Sequence, residues 1–354
     1  MRGSGPAARP LRPPFRGFCD FMSDAKVTIL VSPRERFSLS GESLDSIHEN
    51  TAEPFEMVYV DGGSPPHVQR EIEERRRAYG FELIRTDHVL TPNEARNLGL
   101  AKVRTPWVVF VDNDVKVERG WLASLVEAGE ANGADLVGPL YLQEVDGKRE
   151  THMVGGSAGF YEEDGKRRFQ EEHLHFGKQA SEINHEIESG PTELLEFHCM
   201  MARKTALDRH GPLDEDLLTA MEHIDLCLDV RRSGGLVWLC KESRIAYVVP
   251  PPFEATDLPY FMLRWCHEWN EHTLRHFAQK WEMDPEDPYI ERELRWATSH
   301  REIALRHATW PLGRIAGWMK YHGPKAIGQP FARWFERWLV ADVAKRRDAA
   351  MGRG

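Results

Sequence analysis

The chain has no excess of positive charge: 46 Lys and Arg stand against 56 Asp and Glu, a formal net charge of −10. A generic nucleic-acid binder carries a domain-wide basic footprint, so no nucleic-acid partner is expected. Cysteines are few, five in all, and no two are spaced as CxxC. Cys19, Cys199, Cys227, Cys240 and Cys266 therefore suit reduced, mostly buried thiols of an intracellular protein, not a disulfide framework or a structural zinc site. No run of about eighteen apolar residues occurs, so no membrane-spanning helix is expected. The first 22 residues hold four Arg and four Pro but no apolar core. Such a start is no secretory signal, and residues 1–24 read as a disordered, basic, Pro-rich segment, with a transit peptide as the other reading. The expected location is cytoplasmic. There is no internal repeat.

What the chain does have is alternation. Its 354 residues, 41% of them hydrophobic, suffice for one large α/β domain with an appendage. Strands are expected at Val27 to Val31, Met57 to Val60, Phe81 to Ile84, Trp107 to Val111 and Asp135 to Gly138. Helices are expected at Ser40 to Asn50, His67 to Tyr79, from the capping box Thr91-Pro92-Asn93-Glu94 to about Ala101, and at Gly120 to Asn132. Strand–helix alternation predicts a mostly parallel sheet flanked by helices. A hairpin (Thr151 to Tyr161, then Phe169 to Phe176) and a strand at Leu194 to Met201 follow. Next come a helix at Glu222 to Arg232 stopped by Ser233-Gly234-Gly235, strands at Leu236 to Leu239 and Ile245 to Val249, and a long helix from Asp257 to Trp281. From 284 onward basic residues outnumber acidic ones and five Trp appear. Phe331, Trp334, Phe335 and Trp338 share one helical face. That face packs on the main domain or on a second copy, or lies on a membrane surface. The expected division is thus 25–283 and a helical, Trp-rich extension at 284–354.

Ligands of such sheets bind at the carboxyl ends of the strands. Three loops fall there: Ser32 to Arg36, Asp61 to Ser64, and Asp112-Asn113-Asp114. Acids two apart at a strand end can point the same way, and paired carboxylates suit a hard divalent cation that keeps positions open for phosphate oxygens. Arg96, one turn into the capped helix, can pair with a phosphate or with an acid of the metal site. Glu222 and His223 stand at a helix start, each chemically able to serve as a general base.

These motifs, Asp61-Gly62-Gly63-Ser64, Asn93 to Leu100, Asp112-Asn113-Asp114 and Glu222 to Gly235, occur in an order and spacing that resemble family 2 glycosyltransferases over roughly residues 27 to 280. The resemblance implies a GT-A fold and inverting transfer of a sugar from a nucleoside-diphosphate sugar, UDP- or GDP-linked, to a carbohydrate, lipid-linked or small-molecule acceptor. It implies that Asp112 and Asp114 hold Mn²⁺ or Mg²⁺. Ser32, Pro33, Arg34, Glu35, Asp61, Gly62, Arg96, Asp112 and Asn113 would bind the nucleotide-sugar. Three positions depart from the family: Arg34 stands at the aromatic position of its first loop, Gly62 replaces the second acid of its Asp-Asp-Gly-Ser loop, and His223 stands where it has the catalytic Asp. The base is then His223, Glu222 or Asp225. A late metal-binding His is also missing. Tyr247 lies near its place, and His267 or His272 would substitute. His198 would line the acceptor pocket or be a core histidine.

Two other classes fit part of the pattern. A non-catalytic nucleotide-sugar-binding protein would explain Gly62 and His223. A sugar-1-phosphate nucleotidyltransferase is disfavoured because Ser32 to Arg36 contains no glycine.

Overall fold

The computed structural model describes residues 25–145, 148–250, 253–307 and 310–352. The expectations for 1–24 and for Cys19 lie outside the described residues. The first half runs β1 (Val27–Ser32), α1 (Ser40–Asn50), β2 (Glu56–Gly62), α2 (Pro66–Tyr79), β3 (Glu82–Thr86), α3 (Pro92–Leu100) and β4 (Trp107–Asp112). It continues through β5 (Val115–Val117), α4 (Trp121–Asn132), β6 (Leu136–Val145), β7 (Lys148–Met153), β8 (Gly156–Glu163), β9 (Lys166–His173), α5 (Ala180–Ile183) and β10 (Gly190–Pro191). Then come β11 (Cys199–Arg203), α6 (Lys204–His210), α7 (Glu222–Arg232), β12 (Val237–Tyr247), α8 (Leu258–Arg264) and α9 (His267–Lys280). The chain ends in α10 (Pro288–Arg306), α11 (Pro311–His322) and α12 (Lys325–Ala350).

The main sheet has the order β10-β12-β6-β11-β4-β1-β2-β3, with β5 on β12 and β7 on β6. The expected parallel pairing holds for β1 with β2 and β4, β2 with β3, and β12 with β6. The sheet is nevertheless mixed, because β11 runs antiparallel between β4 and β6. Every residue of β1 and β4 is buried, which is why both read as unbroken apolar runs rather than as alternation. Helix α3 lies close on β1: a Cβ at Gly99 would come within 2.6 Å of the Leu30 side chain.

Several expected boundaries move. The hairpin is β8–β9, and β6 and β7 form a second one that the sequence pattern did not suggest. Leu194 to His198 is not strand; the Tyr141 hydroxyl accepts from the Glu196 N–H and lies within bonding distance of the Glu196 and Cys199 carbonyls, replacing ladder bonds. The two late strands are one, β12, whose register shifts between Cys240 and Arg244. The long helix breaks at Trp265–Cys266, where the Asn270 side chain donates to the carbonyls of Arg264 and Cys266. Cys199, Cys227, Cys240 and Cys266 are free and buried, as expected.

The C-terminal helices pack onto the rest of the molecule. Phe335 is buried against Leu305 and Ala316, whereas Trp334 and Trp338, one helical turn apart, are more than half exposed. The expected aromatic face is thus split between core and surface. Arg347 of α12 reaches back to α3 and forks onto Glu94, at 2.6 and 2.8 Å, the same carboxylate that closes the capping box on the Thr91 N–H. Breaking such a buried pair from one side leaves a charge without its partner. Arg347→Ala is therefore expected to cost about 3–5 kcal/mol, read from denaturant melts. The Arg347 guanidinium and the Thr91 amide hold the Glu94 carboxyl below its usual range against the opposing effect of burial. A depressed folded-state pKa adds stability that is complete above the unfolded value, about 4.3, and is lost as pH falls through the folded one. Acid titration of the melting temperature should show a decline below about pH 4.3 that is smaller in Glu94→Gln.

Candidate active site

Register brings the site together. Ser32 at the end of β1 lies opposite Asp112 at the end of β4, and the Asn113 amide donates to the Ser32 carbonyl at 3.0 Å. On the other side of β4, the Asp112 amide donates to the His198 carbonyl at 3.2 Å, which fixes the residue just before β11. The Val248 amide donates to the Asp114 carbonyl at 3.2 Å, so the end of β12 closes the third side. Three strand ends and the loop into β11 therefore converge on Asp112-Asn113-Asp114, the expected consequence of ligand sites lying beyond carboxyl edges.

The two acids differ in their company. Asp112, fully buried, faces Arg34 at 3.3 Å, Arg96 at 3.4 Å and the His198 Nδ1 at 3.3 Å. Burial opposes its charge, but His198 and the two guanidiniums hold its carboxyl below the usual value. Asp114 is 1% exposed and neither carboxylate oxygen has a hydrogen-bond partner. The nearest cation is Arg36, at 4.0 Å. Burial, with Glu35 and Asp112 nearby, pushes Asp114 up to about 7. A buried carboxylate without donors is costly, and a divalent cation is the group that would satisfy it. Asp112, Asp114 and His198 can each present one ligand atom, all within 4.8 Å of one another. Two carboxylates and an imidazole suit Mn²⁺ or Mg²⁺ with open positions left over. His198, lowered to about 4 mainly by burial and by Arg34, stays neutral as a metal ligand must. Asn113 points the other way, donating to the Arg36 carbonyl and Ser40 Oγ and accepting from the Arg34 amide. It locks the first loop onto the acidic turn.

Arg34 is turned onto Asp112, with Tyr247 5.6 Å from its guanidinium carbon. Glu35 is buried, accepts from the Tyr247 hydroxyl at 2.9 Å and lies 3.3 Å from His300 Nε2 on α10. Arg96 is buried over the Phe197 ring, donates to Asn93 Oδ1, and reaches Asp112 and, at 3.9 Å, Glu222. Asp61 lies at a separate corner, bonded to Arg85 at 2.7 Å and to the Ser64 amide. There Gly62 packs against Leu90, and Gly63, at φ +71°, abuts the His88 carbonyl so closely that a Cβ would come within 2.9 Å.

The three candidate bases separate. Asp225 accepts from Lys280 Nζ at 2.8 Å and from Trp281 Nε1 at 2.9 Å, so its carboxylate is held by α9 and the residue after it, away from the acidic turn. Glu222 lies between Arg96 and Arg264, the latter at 3.6 Å. His223 is half-buried, its Nε2 has no hydrogen-bond partner, and burial lowers it to about 3. Its imidazole is neutral, with Nε2 left unpartnered. His267 and His272 are corrected: both are exposed, paired with Glu271 and Asp216. They face outward because the kink at Cys266 starts a fresh helix there. The imidazole beside the acids is His198, with Tyr247 4.1 Å away between ring centroids.

The model of glycosyl transferase family 2 matches residues 35–209, a span that takes in the acidic turn, α3 and β11. Over that span, just under half of the chain, the sequence resembles that family. The chain is 26% identical over 181 residues to the pre-mycofactocin glycosyltransferase of Mycobacterium tuberculosis, covering 51% of this chain and 34% of that one. It spans about a third of the length of that relative. Among solved structures, GalNAc-T7 with UDP, GalNAc and Mn²⁺ aligns with a TM-score of 0.51 at 16% identity, over 78% of this chain and 55% of that one. The mannosyltransferase PcManGT of Pyrobaculum calidifontis, with GDP-Man and Mn²⁺, aligns at 0.50 and 16% over 95% and 90%. These likenesses carry the GT-A fold. Arg264, Glu196 and His300 reach this site but carried no recognisable sequence signal, because each comes from an element that tertiary folding alone brings near.

Proposed function

We propose that the chain transfers a sugar from a UDP- or GDP-linked donor to an acceptor hydroxyl, with inversion and with Mn²⁺ or Mg²⁺. The observation that carries this reading is the unpartnered, buried Asp114 carboxylate beside Asp112 and His198. Asp112, Asp114 and His198 would hold the ion, which when bound neutralises charge on the diphosphate leaving group. Arg96 and Arg34 add fixed positive charge on the same side as Asp112. His223 takes the acceptor proton through Nε2, while Glu222 positions Arg96 and Arg264. Asp61 and Gly62 form the base-side corner.

The test is release of UDP or GDP from a panel of sugar nucleotides with Mn²⁺. Tight donor binding without turnover across donors and acceptors would make the chain a binding protein, and pyrophosphate exchange would make it a nucleotidyltransferase.

A lipid-linked acceptor is the acceptor class supported by the surface. Leu312, Ile315 and Trp318 on α11 and Ile327, Trp334 and Trp338 on α12 are each at least half exposed. Ile327, Trp334 and Trp338 fall on one helical face, with Arg333 and Arg337 beside them on an exposed helix. Trp with flanking Arg suits the interface of an anionic bilayer. Co-sedimentation with phosphatidylglycerol vesicles is expected, and Trp334→Ser with Trp338→Ser should weaken it at least about tenfold. A chain that stays in the supernatant but dimerises in sedimentation velocity would assign the face to a second copy.

A further inference from the structure

Behind His198 lies a second group of ligating side chains that the transfer reaction does not use. His152 on β7, His173 at the end of β9 and Glu196 in the loop before β11 can each offer an atom, all within 4.8 Å of one another. Glu196 is the hub. Its Oε2 lies 3.0 Å from His152 Nε2 and 3.1 Å from His198 Nε2, and its Oε1 lies 3.7 Å from His173 Nε2. The last distance exceeds a hydrogen bond but is near the edge, about 3.4 Å, of a tetrahedron built from ~2.0–2.1 Å zinc–ligand bonds.

His152 is oriented for this role. Its Nδ1 is 3.1 Å from Gln143 Oε1 while its Nε2 faces the Glu196 carboxylate. With a cation at Nε2, Nδ1–H would donate to Gln143, the outer partner that orients a metal-bound histidine. The Glu196 Oε2 thus lies near both His152 and His198, and its Oε1 is turned toward His173.

We infer that His152, His173 and Glu196 form a second cation site, for a zinc-class ion, joined to the first through the Glu196–His198 contact. Two imidazoles and one carboxylate select a borderline metal over Mg²⁺ and leave a fourth position open. His173 also neighbours His223 in a further ligating group with Glu171. The site stands whether or not the chain transfers sugars.

The test uses the full chain, freed of metal by chelation and titrated with Zn²⁺, then with Co²⁺ as a visible probe, without any sugar nucleotide. One zinc equivalent should bind tightly. His152→Ala and His173→Ala should each weaken it more than roughly 100-fold, beyond the loss of an outer partner. Asp114→Ala should keep it, and the Co²⁺ spectrum should show the intense bands of a four-coordinate ion. Circular dichroism confirms that each variant is folded, with His173→Gln as the milder second variant. Zinc uptake equal in the parent and in the His152→Ala/His173→Ala double variant would overturn the site. So would an equivalent lost in Asp114→Ala but kept in His173→Ala, since the ion would then sit between the acids.

Discussion

Asp114→Ala should lower Mn²⁺-dependent release of nucleoside diphosphate by roughly 10³-fold, the order expected when a metal's several kcal/mol of charge stabilisation is lost. Asp112 is already committed to Arg34, Arg96 and His198. Asp114 is the acid whose two oxygens have no hydrogen-bond partner, so it is the one free to take a ligand from outside the protein. The same fact predicts an unusual stability result. Asp114→Asn keeps the volume and removes a carboxyl that burial already disfavours as an anion, so its melting temperature should equal or exceed the parent's. An inactive variant that melts no lower separates a ligand from a structural acid. If Asp114→Asn instead turns over normally, charge on the leaving group is met by Arg34 and Arg96 alone, and the metal reading fails.

The parts of this site that could be read in the sequence are those that local chemistry specifies. Trp107 to Val111 is apolar because β4 is buried on both faces, and the acids after it stand out for that reason. The capping box fixed the start of α3, which put Arg96 one turn in. What could not be read is what long-range packing decides. His198 sits next to Asp112 only because β11 enters the sheet antiparallel at β4's edge, and strand order of that kind leaves no periodic mark. Arg264 looked like part of one continuous helix; the break at Trp265–Cys266, with no proline at the break, ends α8 at that residue, and its guanidinium meets Glu222. Asp225 was a plausible base by spacing, three residues from Glu222 and so its neighbour on the helix surface, yet its carboxylate is taken by Lys280 and Trp281. Helical periodicity placed the residue but not its partner.

His223→Ala should cut turnover by about 10²–10⁴ while leaving donor binding intact, the loss expected for a positioned general base. The argument is one of availability. Burial raises the Glu222 carboxyl, and Arg264 and Arg96, which flank it, only partly offset that; a proton taken from an acceptor would settle between two cations. Asp225 is bonded to a lysine and a tryptophan N–H. His223 Nε2 and Glu222 Oε1 are both without a hydrogen-bond partner, but only the imidazole is clear of a flanking pair of guanidiniums, and burial keeps it neutral at neutral pH. The three variants should therefore fail in different ways. Glu222→Gln loosens the arginines that flank it and should raise the donor Kd along with lowering the rate. Asp225→Asn should melt earlier yet retain its specific activity, because its contacts tie α7 to Lys280 and Trp281 rather than to substrate. His223→Ala should lower kcat with donor Kd unchanged, measured by single-turnover rates beside equilibrium titration of the sugar nucleotide. An unchanged single-turnover rate in His223→Ala, with Glu222→Gln inactive, would pass the proton to Glu222 and make the imidazole part of the acceptor wall.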